Sequence, residues 1–329
     1  MSIPTPAIAP PSLSSSTPSR ALRHYAWGVL AYNVAVILWG AAVRATGSGA
    51  GCGEHWPLCN GSVIQRFPTV ATVIEFTHRA TSGVALLAIV GLLVWTLIKT
   101  PKRHLARAAV IAAFVLTMNE ALLGALLVLL GKVAHDQSAS RAVYLALHLT
   151  NTLLMLAALA LTAHFLSRTR GFMRGSVEVQ GAALTLTGLI AVIFTGVTGS
   201  LAALADTLNP ATSLRAALAE DFSAHSNWIV RIRWVHPTAS LIAGLFVIVL
   251  VVIGVRNAAN RRLAVGLAGL LLLQYALGVA DLTLLTPLSM QILHLLGADL
   301  LWIALVVLAA RLSIRPLGCP VGVCSTAVV

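Results

Sequence analysis

The chain has 329 residues, 58% of them hydrophobic and only 10% charged, with a formal net charge of +12 and a mean hydropathy of +0.90. That balance excludes an ordinary water-soluble globule, because the apolar residues fall in runs long enough to cross a bilayer, about 20 helical residues each. It also argues against a nucleic-acid site, because the cations sit in short links between apolar runs and not on a folded soluble module.

Residues 1–20 are rich in Ser and Pro and poor in apolar content, which reads as a disordered tail. They lack the basic-then-apolar pattern of a secretory signal. Eight spans are predicted at 25–43, 72–98, 106–130, 139–166, 179–201, 229–255, 262–282 and 287–310. Backbone polar groups in lipid must be satisfied within the segment, so each should be a helix. One side of this arrangement collects Arg20, Arg23, Lys99, Lys102, Arg103, Arg107, Arg168, Arg170, Arg174, Arg256, Arg261, Arg262, Arg311 and Arg315. An excess of Lys and Arg in short loops marks the cytoplasmic side. Both termini are then expected inside, in a cytoplasmic membrane. The fold class expected is all-α, with eight transmembrane helices as two parallel-related four-helix bundles. The division expected is a tail at 1–24, a first half at 25–170, a second half at 171–315 and a tail at 316–329.

The first outer loop reads GSGAGCGEHWPLCNG and holds Cys52 and Cys59. A disulfide can persist outside the cytoplasm, and the Gly and Pro residues between the two make closure feasible. The pair is read either as a loop staple or as a redox-active couple. Cys319 and Cys324 lie in the inner tail and are expected as reduced thiols.

Four histidines stand in the outer parts of four spans: His78, His148, His236 and His294. Ionisable groups in lipid are costly and usually functional, and imidazole is a favoured iron ligand. Each lies about six to nine residues beyond the outer end of its helix, or roughly 9–14 Å at 1.5 Å per residue. Matched depth suggests two bis-histidine haem sites. His24, His104 and His164 sit at inner ends, and His55, His135 and His225 in outer loops, where a solvated imidazole is ordinary.

An internal repeat supports the pairing. ThrGlySer at 46–48 recurs at 198–200, each time where a helix is expected to run into an outer loop. EFTHRATSG around His78 parallels RWVHPTASLIAG around His236. A Leu-Gly step occurs at Leu123–Gly124 and again at Leu277–Gly278. LALHLTN around His148 parallels QILHLLG around His294. Four helices followed by four in the same order give halves related by an axis along the membrane normal.

The halves differ in their charges. Glu75 precedes His78 by one helical turn, where a carboxylate can accept a proton or orient an oxygen species; it can equally be an interfacial partner of Arg79. The matching second-half position is Arg233, with Arg231 nearby, and planar guanidinium groups suit haem propionates. Arg79, Arg231 and Arg233 are therefore candidate propionate contacts. The first half reads as a reaction site and the second as a permanent haem site. Glu120 aligns with Gln274 when the Leu-Gly steps are superposed. Asp281 is expected to be solvated, and Asp299 is a candidate neighbour of His294. Trp39, Trp228, Trp234 and Trp302 suit interfacial belts more than haem contacts. The long outer loop 202–227 is a candidate cap over the second site.

The stretch VRATGSGAGCGEHWPLCNG, followed by EFTHRATSG and the three later histidines, resembles a bacterial haem A synthase over residues 25–310. That resemblance implies an eight-helix membrane oxidoreductase that converts a methyl of haem O to a formyl, via an alcohol, making haem A for terminal oxidases. It implies that Glu75, His78 and His148 serve the substrate haem, and that His236 and His294 bind the iron of haem b. Cys52 and Cys59 match the family's first-loop pair, whereas a second pair found in some members has no counterpart in 202–227. Haem O, a haem O synthase, an electron acceptor such as a quinone, the lipid bilayer and a second copy of the chain are the partners implied. Two rival readings are a cytochrome b electron carrier that oxidises a quinol and a haem-binding transporter.

Overall fold

The structure is a computed structural model and describes residues 18–62, 66–134, 136–167, 177–179 and 181–316. His135, Arg168, Arg170, Arg174, Cys319 and Cys324, with most of both expected tails, lie outside the described residues.

Among the described residues eight helices are long and apolar enough to cross a membrane, and the chain is a multi-pass, all-α membrane protein. Helix α1 (Arg20–Ala45) starts earlier than expected. Ser19 caps it by accepting the N–H of Leu22 at 3.3 Å, and Leu22 is fully buried, so residues 20–24 are helix and not tail. Helix α2 (Val70–Lys99) is capped by Thr69, α3 (Leu105–Leu129) by His104 and α4 (Ala139–Leu166) by Ser138. Helix α5 (Ala182–Leu208) runs about two turns past its expected end. The loop beyond it contains a short helix, α6 (Leu214–Asp221).

The sixth span opens with one turn, α7 (Trp228–Arg231), and continues as α8 (Val235–Val255). Pro237 falls in the first turn of α8, where a missing N–H does little harm. Helices α9 (Ala258–Thr283) and α10 (Leu288–Ser313) complete the bundle. A three-residue antiparallel pair joins Val177–Val179 to Ile314–Pro316.

Packing follows the repeat. In the first half α1 packs on α2, α2 on α3, α3 on α4 and α4 back on α1. In the second, α5, α8, α9 and α10 close the same ring. The rings meet along α4 and α10, the spans with the largest buried share, 50% each. The buried core is continuous across this seam, from Leu30 and Leu159 to Leu250 and Leu305. Trp302, expected in an interfacial belt, is instead only 2% exposed and donates its indole N–H to the Leu153 carbonyl across the seam at 2.7 Å. Outward positions such as Leu87, Ile98 and Leu272 are bare, as lipid-facing side chains must be in a bundle that uses the bilayer as solvent.

Candidate functional site

All four histidines stand six to nine residues from the same end of their spans, the end that carries Cys52 and Cys59; that side is called the disulfide face. Each imidazole rests against a glycine of the helix before it. A β-carbon at Gly40 would lie 2.9 Å from Cε1 of His78, and one at Gly199 would lie 2.8 Å from Cε1 of His236. The corresponding distances are 3.8 Å for Gly124 and His148 and 3.1 Å for Gly278 and His294. The Leu-Gly steps are thus seats for the fourth-helix histidines. The ThrGlySer motifs are not equivalent, because Thr46 ends α1 whereas Thr198 lies inside α5. The spatial counterpart of Gly199 is Gly40.

In the second half the rings of His236 and His294 lie at right angles, with centroids 6.3 Å apart. Two metal–imidazole bonds of about 2 Å each, plus the distance from nitrogen to ring centre on both sides, give roughly 6 Å. The Nδ1–H of His236 donates to the Thr195 carbonyl at 3.1 Å, which fixes the tautomer and leaves Nε2 as the nitrogen with a lone pair. The Gln274 amide approaches His294, 3.2 Å from Nε2 and 3.0 Å from the backbone carbonyl.

In the first half His78 lies within electrostatic reach of His148. The Nδ1 atoms of both are buried and lack a hydrogen-bond partner. Glu120 stands where Gln274 stands in the other half, with Oε1 3.5 Å from His148 Nδ1. Its carboxylate also accepts from Asn151, at 2.5 Å, and from the Thr152 hydroxyl. The aligned positions therefore meet the aligned histidines, one as an acid and the other as an amide.

Glu75 is buried under the first loop. Its carboxylate accepts the Cys52 N–H at 2.8 Å, and Nε and Nη2 of Arg79 at 3.2 and 2.5 Å. Arg79 in turn donates to the carbonyls of His55 at 2.6 Å and Leu58 at 2.8 Å. Cys52 and Cys59 are disulfide-bonded and fully buried. Thr72 donates its hydroxyl to the Gly51 carbonyl at 2.8 Å, and a side chain at Gly51 would collide with the backbone of Ala71. Loop and helix are thus locked together, and Arg79 is committed to that lock.

Arg233 is also committed. It donates to Asp206 and Asp221 at 2.7 Å each and to the Ala217 carbonyl at 3.0 Å, pinning α6 onto α5 and α8. Arg231 is exposed, and its side chain makes no hydrogen bond or ion pair among the described residues. Asp281, expected to be solvated, is half-buried at the end of α9, with its Oδ1 enclosed and without a hydrogen-bond partner. Asp299 makes no hydrogen bond to His294. It lies one turn from Trp302 on the face turned to α4, 2% exposed, with Oδ2 unpartnered.

Sequence reasoning passed over Arg44 and the seats Gly40 and Gly199. The signal was present in the spacing, since Gly40 and Arg44 are one turn apart on α1, but a glycine in an apolar helix is too common to stand out.

The sequence model for cytochrome oxidase assembly proteins, COX15-CtaA, matches residues 23–306. A Thermus thermophilus protein named protoheme IX farnesyltransferase is 47% identical over 296 residues, covering 88% of this chain and 48% of that protein. A heme A synthase of Exiguobacterium sibiricum is 37% identical over 143 residues, covering 43% of this chain and 46% of its own. One of Alkalihalophilus pseudofirmus is 40% identical over 126 residues, covering 38% and 40%. The chain spans about half the length, or less, of these relatives. The match to most of the bundle settles the family: the chain belongs to the COX15-CtaA family of cytochrome oxidase assembly proteins.

Proposed function

We propose that the chain is a haem A synthase, a membrane oxidoreductase that takes the methyl of haem O through an alcohol to the formyl of haem A. The observation that carries this reading is the pair of glycine-seated histidine sites with unlike neighbours, in a family that assembles cytochrome oxidase. Relatives named heme A synthase support it.

In this reading His236 and His294 hold haem b. The ring separation, the Thr195-fixed tautomer and the two glycine seats fit that group. Bis-histidine haem supplies one-electron transfer and not dioxygen binding. His78 and His148 hold the substrate haem, with the buried Nδ1 of His78 making no hydrogen bond and that of His148 facing Glu120. Glu75, one helical turn from His78, is the candidate proton acceptor. A carboxylate offers about four acceptor positions, and the loop and Arg79 take three, which leaves one. Glu120 orients His148. The 25–170 and 171–315 halves are then substrate and cofactor halves of one enzyme, with the disulfide face outside a cytoplasmic membrane. A haem O synthase would supply the substrate, and a quinone-type carrier would take the electrons.

The name of the Thermus thermophilus relative points to farnesyl transfer, but the match fills about half of that protein. The name therefore supports a haem-tailoring setting for the matched half.

The test is the haem inventory of cells that supply haem O, with and without this chain. Haem A formed only with the chain, and haem b recovered with the purified protein, bears out the reading. Haem b alone at both sites, with no haem A, makes it an electron carrier.

A further inference from the structure

Of the two cations that the second half was expected to provide at its histidine pair, Arg233 is tied to Asp206 and Asp221, and Arg231 is exposed. Arg44 reaches that place from the first half. It sits at the disulfide-face end of α1 and points across the seam. Nη1 donates to the Ala203 carbonyl at 2.8 Å and to the Thr207 hydroxyl at 3.0 Å, and Nη2 donates to Gln291 Oε1 at 2.9 Å. Ala203 is one turn beyond Gly199, the seat of His236, and Gln291 is one turn before His294. The guanidinium therefore lies over the second histidine pair, on its disulfide side.

All three partners are neutral. Arg44 forms no ion pair among the described residues. Asp206 and Asp281 are within electrostatic reach, as is the cation Arg141, but Asp206 is held by Arg233. A guanidinium has five N–H donors, and three are used. The remainder, with Nε–H among them, suits a planar carboxylate better than any neutral acceptor.

We propose that Arg44 is a carboxylate-binding residue of the second-half site, holding a propionate of the haem bound between His236 and His294. The cofactor half is then completed by a side chain of the other half. This rests on the haem reading given above.

The test separates the carboxylate contact from a purely structural tie. Full-length protein, its haem exchanged for haem or for haem dimethyl ester, is mixed with apomyoglobin, and the rate of haem loss is followed optically. Esterification is expected to speed loss roughly tenfold or more in the wild type, the scale of a charge-assisted hydrogen bond. In Arg44→Gln the haem is lost faster, but most of the ester penalty disappears, while Arg44→Lys keeps part of it. Such non-additivity is the signature of direct contact. Independent, additive effects of Arg44→Gln and esterification would overturn the assignment and leave the haem reading standing. Haem content unaffected by His236→Ala and His294→Ala would overturn the haem reading itself.

Discussion

Gly199 and His236 are fitted to each other: the imidazole of the one fills the space where a side chain of the other would begin, with Cε1 2.8 Å from an added β-carbon. No real β-carbon sits so close, and α5 cannot yield easily because it is a continuous helix from Ala182 to Leu208. Gly199→Ala must therefore move the ring or the helix. Overpacking of this kind costs about 1–3 kcal/mol. We expect haem bound by the second pair to be held about tenfold or more weakly, read as the haem-to-protein ratio after purification. Gly28→Ala, where nothing lies within 4 Å, is the control. A full haem complement in Gly199→Ala would show that the seat does not position His236.

Asp299 occupies the place that Leu153 holds in the other half, each five residues after its fourth-helix histidine. Its carboxyl is 2% exposed with Oδ2 unpartnered, and a buried unsatisfied polar group costs about 1–3 kcal/mol. Asp299→Leu should raise the thermal midpoint in detergent if packing is all that matters there. A lowered midpoint would mean that the carboxyl has a partner it needs.

Much of this architecture could be read before any coordinates. Span positions came from length and apolarity, and the Leu-Gly steps led to true seats because each lies on the helix that precedes and packs against its histidine helix. Charge was less legible. Arg233 looked free in the sequence because Asp206 and Asp221 are remote along the chain; the Glu75–Arg79 pair was legible one turn apart, but the carbonyls of His55 and Leu58 that hold Arg79 are backbone atoms that no residue pattern shows. Arg44 was hidden for the converse reason: its three acceptors lie on α5 and α10, across a seam that no local pattern reveals. ThrGlySer misled because a motif can recur while its helical context changes. Trp302 misled because indole suits both a belt and a buried seam.

His104 makes one end of α3 sensitive to acid. It is 3% exposed, and its Nδ1 accepts the Ala106 N–H at 3.1 Å as the helix cap. Burial holds the imidazole below its ordinary range. The unfolded chain thus takes up the proton more readily than the folded one, so the cap's contribution is full above the ordinary imidazole value of about 6.5 and fades as pH falls below it. Melting at about pH 7.5 and about pH 5.5 should show a loss that shrinks in His104→Asn, which keeps a neutral cap. An unchanged pH difference in the variant would place the acid sensitivity elsewhere.

Glu75 poses the sharpest choice, because its position suits two roles. Three of its acceptor positions serve the Cys52 N–H and the Arg79 guanidinium, which ties it to the disulfide loop. It also stands one turn from His78, on the same face. Glu75→Gln keeps the shape and the amide acceptor for Cys52, but weakens the bond to Arg79 and removes the base. If Glu75 accepts a proton during methyl oxidation, the variant keeps its substrate haem and loses about 10²–10⁴ in the rate of haem A formation. If it serves only the lock, Glu75→Gln and Arg79→Ala should behave alike, with faster reduction of Cys52–Cys59 and fewer filled first-half sites. We expect the variants to differ. Arg79→Ala should loosen the loop and speed disulfide reduction, whereas Glu75→Gln should retain substrate haem and stall turnover. Haem extraction and thiol-labelling rates on the same two preparations decide it. Normal haem A production in Glu75→Gln would remove Glu75 from the chemistry and leave it as the loop's anchor.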